Sequence, residues 1–439
     1  MVFPEYREGR LYADDVAVDK LADQLQTPLY CYSASMLRQN FNLYAEQFKP
    51  ENSLVCFAVK ANSNLAIIRA LGKMGAGADV VSEGELRRAL HAEIPAQKIV
   101  YSGVAKTRRE MRFALQKDIY QFNVESEPEL ELLNQVALKE GKQAPIAFRI
   151  NPDIDALTHE KISTGKSSNK FGIPWGRAHE AYARAAELPG IRVQGIDIHI
   201  GSQLTQLEPF EQAFRCLAQL TTELRDQGHN ISVLDIGGGL GIDYVDGSPL
   251  PPAINNYANL AKNTLGQLGC QIIVEPGRSL VGNIGILISR VIYIKQGQQN
   301  RFLIIDAGMN DLLRPSMYDA YHEIVPCTIR EGEHGLYQVV GPVCESGDTF
   351  ARSRSLPPLQ GGDLVAIKNA GAYGAVMASY YNTRPLVPEV LVDGDKMTVI
   401  RPRTTYDELM NLDTPEGAVT PINQTPDEYN EDERTETPD

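Results

Sequence analysis

Lys60 is the residue whose position most strongly suggests chemistry. It ends an apolar run, 54–60, that reads as a buried strand. An ammonium group in an apolar wall is costly without a partner. Two solutions are a lowered pKa and an imine formed with a carbonyl cofactor. The alternative is a strand-end lysine whose head group reaches solvent, as lysine side chains often do.

Further polar or glycine-rich segments follow other apolar runs of the chain. They are Asp79 and Ser82, Arg149 and Asn151, His199 to Ser202, Gly237 to Gly241, and Glu275 to Arg278. Glycines let backbone N–H groups approach phosphate oxygens closely. The cluster at 237–241 is no Walker loop, because no Gly-Lys-Ser/Thr follows it. Its spacing does not match a dinucleotide fingerprint either.

Each segment alone has an ordinary structural explanation. The glycine cluster could be a tight turn, His199 a satisfied core histidine, and Glu275 a partner of Arg278. Together they describe a pyridoxal phosphate site. In such a site Lys60 forms the Schiff base, His199 stacks on the ring, and Glu275 keeps the pyridine nitrogen protonated.

Eight short apolar runs must position these residues. The predicted strands are 54–60, 78–82, 99–102, 122–125, 146–151, 195–200, 233–237 and 272–275, with helical periodicity between them. Near-continuous apolar runs are typical of parallel strands buried on both faces. Eight such units predict an α/β fold with a (β/α)₈ barrel, whose active site lies at the C-terminal ends of the strands. A doubly wound open sheet is the alternative, since periodicity cannot prove closure.

The pattern changes after Arg278. Strand-like segments at 286–294, 302–306, 336–340 and 364–368 are joined by turn-rich loops, and Asp393-Gly394-Asp395 is a hairpin signal. We expect a second, mostly antiparallel β-sandwich or β-barrel domain here.

Composition excludes several function classes. The 439 residues are 43% hydrophobic and 22% charged, as in ordinary globular enzymes. The net charge of −14 argues against nucleic-acid binding. No apolar run is long enough for a bilayer and no secretory signal is visible, so we expect no membrane partner. The six cysteines form no C-x-x-C pair and no zinc-ligand spacing, which fits a reducing cytoplasm and predicts no metal.

Much of the negative charge is local. Residues 413–439 hold nine acidic residues and one arginine, together with four prolines. Such a segment buries too little apolar surface to offset its ordering entropy. We expect a solvated, disordered tail that catalysis does not need.

These segments resemble, in order, the motifs of a known family. The chain looks like the alanine-racemase-fold group of pyridoxal-phosphate decarboxylases, which act on ornithine, arginine or diaminopimelate. The matching pieces begin Phe57-Ala58-Val59-Lys60-Ala61-Asn62, Gly77-Ala78-Asp79, His199-Ile200-Gly201-Ser202, Asp235-Ile236-Gly237-Gly238-Gly239, Glu275-Pro276-Gly277-Arg278, Cys344-Glu345-Ser346-Gly347-Asp348 and Gly371-Ala372-Tyr373-Gly374. They span roughly 58–382. The Cys-Glu-Ser-Gly-Asp segment and Thr164-Gly165 are similar to the diaminopimelate branch of the group.

The resemblance implies a reaction and its cofactor site. The reaction is decarboxylation of meso-2,6-diaminopimelate to L-lysine, the last step of lysine biosynthesis by that route. The expected cofactor residues are Lys60, Asp79, His199, Ser202, Gly238, Gly239, Glu275, Gly277, Arg278 and Tyr373. The expected catalytic residues are Lys60, His199 and Cys344, the last as proton donor. Without the motif, a buried structural thiol would be the better interpretation of Cys344.

The resemblance also implies the substrate contacts and the assembly. Arg278, Arg314, Tyr318, Glu345 and Tyr373 are expected to bind the substrate. The first three are expected on its distal carboxylate. The segment at Cys344 is expected to reach the partner's barrel, which implies a homodimer with shared active sites.

The family pattern further implies a domain division. Residues 31–278 would form the barrel, and 1–30 would join 279–412 in the β domain. Two other functions stay open. One is a related decarboxylase acting on lysine, ornithine or arginine. The other is a non-catalytic pyridoxal-phosphate carrier, against which the intact Lys60, His199 and Cys344 argue.

Overall fold

The computed structural model describes residues 3–48, 52–154, 170–244 and 251–413. The predicted loop motif at Thr164-Gly165 and the tail beyond residue 413 lie outside this part of the chain. No helix within the described ranges is both long and apolar enough to cross a bilayer.

Eight parallel strands close into a barrel. The first strands of the chain are β1 (Glu5–Arg7), β2 (Arg10–Ala13), β3 (Val16–Ala17) and β4 (Leu29–Ser33). The barrel strands follow as β5 (Leu54–Ala58), β6 (Gly77–Val80), β7 (Ile99–Tyr101), β8 (Gln121–Val124), β9 (Ala144–Asn151), β11 (Ile191–Asp197), β12 (Val233–Asp235) and β13 (Gln271–Val274), with a short β10 (Ile173–Pro174) beside β9. Pairing runs continuously from β9 through β13 and β5 back to β8, and β8 pairs with β9. The predicted barrel is therefore confirmed, and the open sheet is excluded.

The helices lie around the barrel and beside the strands outside it. They are α1 (Val18–Leu25), α2 (Ala34–Phe48), α3 (Leu65–Lys73), α4 (Glu83–His91), α5 (Arg108–Gln116), α6 (Glu127–Lys139), α7 (Ala178–Ala186), α8 (Glu208–Asp226), α9 (Ile254–Leu265), α10 (Arg278–Val281), α11 (Arg314–Tyr318) and α12 (Tyr406–Met410). Several begin at a side-chain cap directly after a barrel strand. The Ser82 hydroxyl accepts from the Glu85 N–H, and Ser126 accepts from Glu129. Such caps satisfy N–H groups that a helix start leaves without partners.

A second, mixed sheet has nine strands, which are β4 and eight strands that follow the barrel, and β1 to β3 form a separate three-stranded sheet. The eight later strands are β14 (Gly285–Gln296), β15 (Arg301–Ile305), β16 (Ile324–Pro326), β17 (Gly335–Val340), β18 (Thr349–Leu356), β19 (Leu364–Ile367), β20 (Glu389–Asp393) and β21 (Lys396–Arg401). Most pairings are antiparallel, as predicted, but β4 runs parallel to β20 and β15 parallel to β17. The N-terminal strand β4 lies between β14 and β20. The predicted boundary at residue 31 falls inside this strand.

Candidate active site

The C-terminal ends of the barrel strands surround a cavity of about 380 Å³. Ten of the predicted site residues line it: Lys60, His199, Ser202, Gly239, Glu275, Gly277, Arg278, Arg314, Tyr318 and Tyr373. Asp79 and Gly238 lie immediately behind that wall, in contact with lining residues. The structure therefore brings together residues from the first predicted motif, at Lys60, and from the last one, at Tyr373.

Lys60 lies on a single helical turn, Val59–Ala61, directly after β5. Its Nζ is 2.6 Å from Asp79 Oδ2, and Asp79 is completely buried. Burial alone would lower the pKa of Lys60, but the negative charges of Asp79 and Glu275 outweigh it and raise the pKa. The amine is thus held charged at the cavity wall. It must lose a proton before it can act as a nucleophile.

Glu275 follows β13 and faces the cavity. Its Oε1 is buried and has no hydrogen-bond partner within the described residues. Burial raises its pKa well above the ordinary value, and the charges of Asp235 and Asp79 add to this. Asp235 shares a side-chain hydrogen bond with Glu275, and burial raises the pKa of Asp235 to about 6. An unsatisfied buried carboxylate oxygen is costly, so this site calls for a ligand that can donate a hydrogen bond.

His199 lies just beyond β11 and also lines the cavity. Its Nδ1 accepts a hydrogen bond from the Gly238 N–H at 3.3 Å. Burial lowers its pKa well below the ordinary value, and the positive charges of Arg149 and Lys60 act in the same direction. The ring is therefore neutral, and a planar imidazole that lines the cavity can stack on an aromatic ligand.

Glycines bring backbone close to the cavity where a side chain would not fit. A Cβ on Gly238 would lie 2.2 Å from the Glu275 carbonyl oxygen. Gly239 has φ +106, and its Cβ would lie 2.4 Å from the Gly201 carbonyl oxygen. The neighbouring Ser202 hydroxyl accepts from Arg278 Nη2 at 3.2 Å. Backbone N–H groups and a hydroxyl form a cradle typical of phosphate sites in this fold.

Two buried arginines, Arg278 and Arg314, also line the cavity. The Arg278 guanidinium lies 4.8 Å from the ring centre of Tyr373. Within the described ranges, neither guanidinium forms an ion pair with a carboxylate. Burial lowers the pKa of Arg314, and the like charge of Arg278 contributes to this. Two adjacent cations without an anion form a site for an acidic group.

Cys344 and Glu345 are not among the residues that line this cavity. They lie on the connection between β17 and β18. The Cys344 thiol is exposed, and its N–H donates to Asn382 Oδ1 at 3.1 Å. A single chain therefore does not place the predicted proton donor in its own site.

Sequence reasoning missed two residues that contact Arg278 or Arg314. Tyr244 lines the cavity, and His322 lies behind Arg314. Tyr244 follows the last glycine of the cluster by three positions. Its place in the same loop after a barrel strand was a signal that could have identified it as a candidate. His322 carried no signal, because it belongs to a loop of the second domain.

Comparison with known proteins agrees with this geometry. The family model "Pyridoxal-dependent decarboxylase, pyridoxal binding domain" matches residues 34–282. A diaminopimelate decarboxylase of Zymomonas mobilis is 49% identical over 92% of this chain and 96% of its own length. The chain belongs to the diaminopimelate decarboxylase family. Pyridoxal phosphate is accordingly its cofactor, and the protein is a lyase. The Pseudomonas aeruginosa member is 47% identical over 92% of this chain and 97% of its own.

Solved structures of the family match the fold as well. Diaminopimelate decarboxylase from Helicobacter pylori complexed with L-lysine is 43% identical, with a TM-score of 0.86. The match covers 90% of this chain and 98% of that one. The match therefore extends over most of the barrel and of the second sheet.

Proposed function

We propose that this enzyme removes one carboxylate of meso-2,6-diaminopimelate as CO₂ and yields L-lysine. The observation that carries the proposal is the pair of buried arginines, Arg278 and Arg314, which line the same cavity as Lys60 and form no ion pair with a carboxylate of the described residues. A substrate attached at Lys60 that carries a second carboxylate can place that group against them. Diaminopimelate has one, whereas ornithine and arginine end in cationic groups that two guanidiniums would repel.

The residues around Lys60 fit the cofactor. Lys60 would hold its aldehyde carbon, and the unpartnered Glu275 Oε1 would meet its ring nitrogen. Gly238, Gly239, Ser202 and Gly277 would hold its phosphate, and Tyr373 would add a hydroxyl there. When bound, the cofactor supplies a conjugated ring that accepts the electron pair released with CO₂.

The protein's own groups supply orientation and proton transfer. His199 covers one face of the site with a neutral ring. Asp79 keeps the Lys60 amine protonated until that amine acts as a nucleophile. The bond that breaks joins the carboxylate to Cα, and Cα then needs a proton. We assign that proton to the Cys344 thiol.

We further propose a homodimer in which Cys344 and Glu345 complete the partner's site. Cys344 is exposed in the single chain and lies outside its cavity, which supports a role across an interface. Glu345 would face the distal amine of the substrate. The division into 31–278, 1–30 with 279–412, and a tail from 413 remains a prediction.

A cytoplasmic location is part of the same proposal. All six cysteines are free, as expected of a reducing compartment.

One assay tests the proposed reaction. CO₂ release is measured from meso-diaminopimelate, L-lysine, L-ornithine and L-arginine with added pyridoxal phosphate. Turnover of diaminopimelate should exceed that of the others by at least about 100-fold, since two charged contacts distinguish them. Lys60→Ala is the control and should release no CO₂. Faster turnover of ornithine or arginine would refute the proposal.

A further inference from the structure

Tyr244 lines the cavity and contacts both of its arginines. Its hydroxyl accepts from Arg278 Nη1 at 2.8 Å. Its ring centre lies 4.5 Å from the Arg314 guanidinium carbon, a cation–π distance. Within the described residues no acceptor takes the hydroxyl's own proton. That proton is available to an anion in the cavity.

His322 holds the second arginine from behind. It is buried, its Nδ1 lies 2.8 Å from the Lys368 carbonyl oxygen, and its Nε2 lies 2.8 Å from Arg314 Nη1. A carbonyl can only accept, so Nδ1 carries the proton and Nε2 offers a lone pair. A guanidinium can only donate, which matches that lone pair. Burial, with the charge of Arg314, lowers the pKa of His322 to about 3, so the ring stays neutral at physiological pH.

The second domain fixes both residues relative to each other. The Tyr244 and His322 rings pack edge to face, with centres 5.4 Å apart. Lys368, whose carbonyl oxygen accepts from His322 Nδ1, directly follows β19. The next residue, Asn369, donates from Nδ2 to the Asp243 carbonyl oxygen at 2.8 Å. One short segment therefore anchors the loop of Tyr244 and the ring of His322 together.

We propose that Tyr244 is a substrate-binding residue for the distal carboxylate, and that His322 is the positioning residue for Arg314. This rests on the proposed function, because it assumes a substrate with that carboxylate. Tyr244 donates its hydroxyl proton to the carboxylate while accepting from Arg278. His322 fixes the guanidinium plane of Arg314, so that its remaining N–H groups point at the same ligand. Neither residue touches the reacting Cα.

The chemistry of the product sharpens the test. Decarboxylation removes the carboxylate near Lys60, so L-lysine keeps the distal carboxylate and binds the same subsite. 1,5-Diaminopentane has both amines and no carboxylate. The two compounds therefore differ only in the group that Tyr244 and the arginines contact.

Three variants separate the roles. Tyr244→Phe removes the hydroxyl and keeps the ring. His322→Asn keeps a donor for Lys368 but loses the acceptor for Arg314, whereas His322→Gln places an amide oxygen near the position of Nε2. Tyr120→Phe is the matched control, since it removes one tyrosine hydrogen bond, to Gln271, at the amino end of the barrel. For each holoenzyme, KM and kcat are measured for meso-diaminopimelate, and Ki is measured for L-lysine and for 1,5-diaminopentane.

We expect Tyr244→Phe and His322→Asn to raise KM and the Ki of L-lysine about 10- to 100-fold, the loss of a hydrogen bond to a charged group. The Ki of 1,5-diaminopentane and kcat should change less than about threefold. His322→Gln should stay near the parent enzyme, and so should Tyr120→Phe. Retention of cofactor absorbance and an unchanged melting temperature verify that each variant is folded.

Two results would overturn the inference. One is an unchanged KM in Tyr244→Phe and His322→Asn. The other is an equal loss of affinity for L-lysine and 1,5-diaminopentane, which would indicate general damage to the cavity. If either result is obtained while the parent enzyme turns over meso-diaminopimelate, only the subsite proposal is refuted. If the parent enzyme does not turn over meso-diaminopimelate, the proposed function is refuted, and the subsite proposal is refuted with it.

Discussion

At the scale of single residues, charge state governs the site. Lys60 faces Asp79 at 2.6 Å and lies in the field of Glu275. These carboxylates keep the amine protonated, although covalent capture of the cofactor requires the neutral form. Asp79 therefore sets how readily Lys60 gives up its proton.

Asp79→Asn tests this role. Loss of the nearest negative charge should lower the pKa of Lys60, because burial then dominates. The pH midpoint for cofactor capture, followed by stopped-flow absorbance of the apoenzyme mixed with pyridoxal phosphate, should shift to lower pH by at least about one unit. Asp118→Asn is the control, since Asp118 pairs with Lys142 at 2.7 Å on the far side of the barrel. An unmoved midpoint in Asp79→Asn would contradict the assignment.

His322 gives a second prediction, about pH and stability. Its folded pKa, about 3, lies below the ordinary value near 6.5. The unfolded state therefore binds a proton first as pH falls, and stability present above pH 6.5 is lost below it. Between pH 7.5 and 5 this group should cost about 2 kcal/mol of unfolding free energy. His322→Gln should show a pH dependence weaker by that amount in urea titrations at both pH values. Parallel curves would mean that His322 is not buried neutral.

At the scale of elements, much of the barrel could be predicted. The runs at 54–60 and 272–275 are apolar and buried on both faces, so composition alone located the strands. Their ends were harder, since Lys60 lies on a helical turn beyond β5 and not in the strand. The end of a strand depends on where its backbone stops pairing with the neighbouring strand, and the sequence of one strand alone does not encode that point. The placement of His322 beside Tyr244 could not be predicted, because it depends on how two domains pack.

The glycine loop after β12 offers an element-scale prediction. Gly238→Ala would place a methyl group 2.2 Å from the Glu275 carbonyl oxygen, so strand ends must separate. Overpacking of this kind costs about 1–3 kcal/mol and should also weaken cofactor retention. Gly176→Ala is the matched control, because nothing lies within 4 Å of its added Cβ. Melting temperature and cofactor content after gel filtration measure both effects. Equal behaviour of the two variants would show that the loop adapts freely.

At the scale of the whole molecule, the open question is which chain supplies the proton. The cavity of one chain holds Lys60 but not Cys344. If the partner supplies the thiol, two inactive chains can build one intact site between them. The shared-site proposal thus predicts complementation.

Mixing Lys60→Ala with Cys344→Ala should restore up to about a quarter of the parent activity, since random exchange makes half the dimers mixed, each with one intact site. Each variant alone should lose at least about 100-fold in kcat, the range for a positioned proton donor. Labelled subunits verify exchange by mass spectrometry. Exchange without recovered activity would place Cys344 in its own chain's site.

The position of β4 in the second sheet has a consequence for synthesis. Tyr32 pairs with Gly285, and Tyr30 pairs with Glu389. In the sequence, the whole barrel is therefore inserted between β4 and the strands that pair with it. On the ribosome, β4 emerges first and waits for partners that are made after the barrel. Contacts of such long sequence separation form late, because loop closure costs entropy before it is rewarded. We therefore expect the barrel to fold before β4 pairs with β14 and β20.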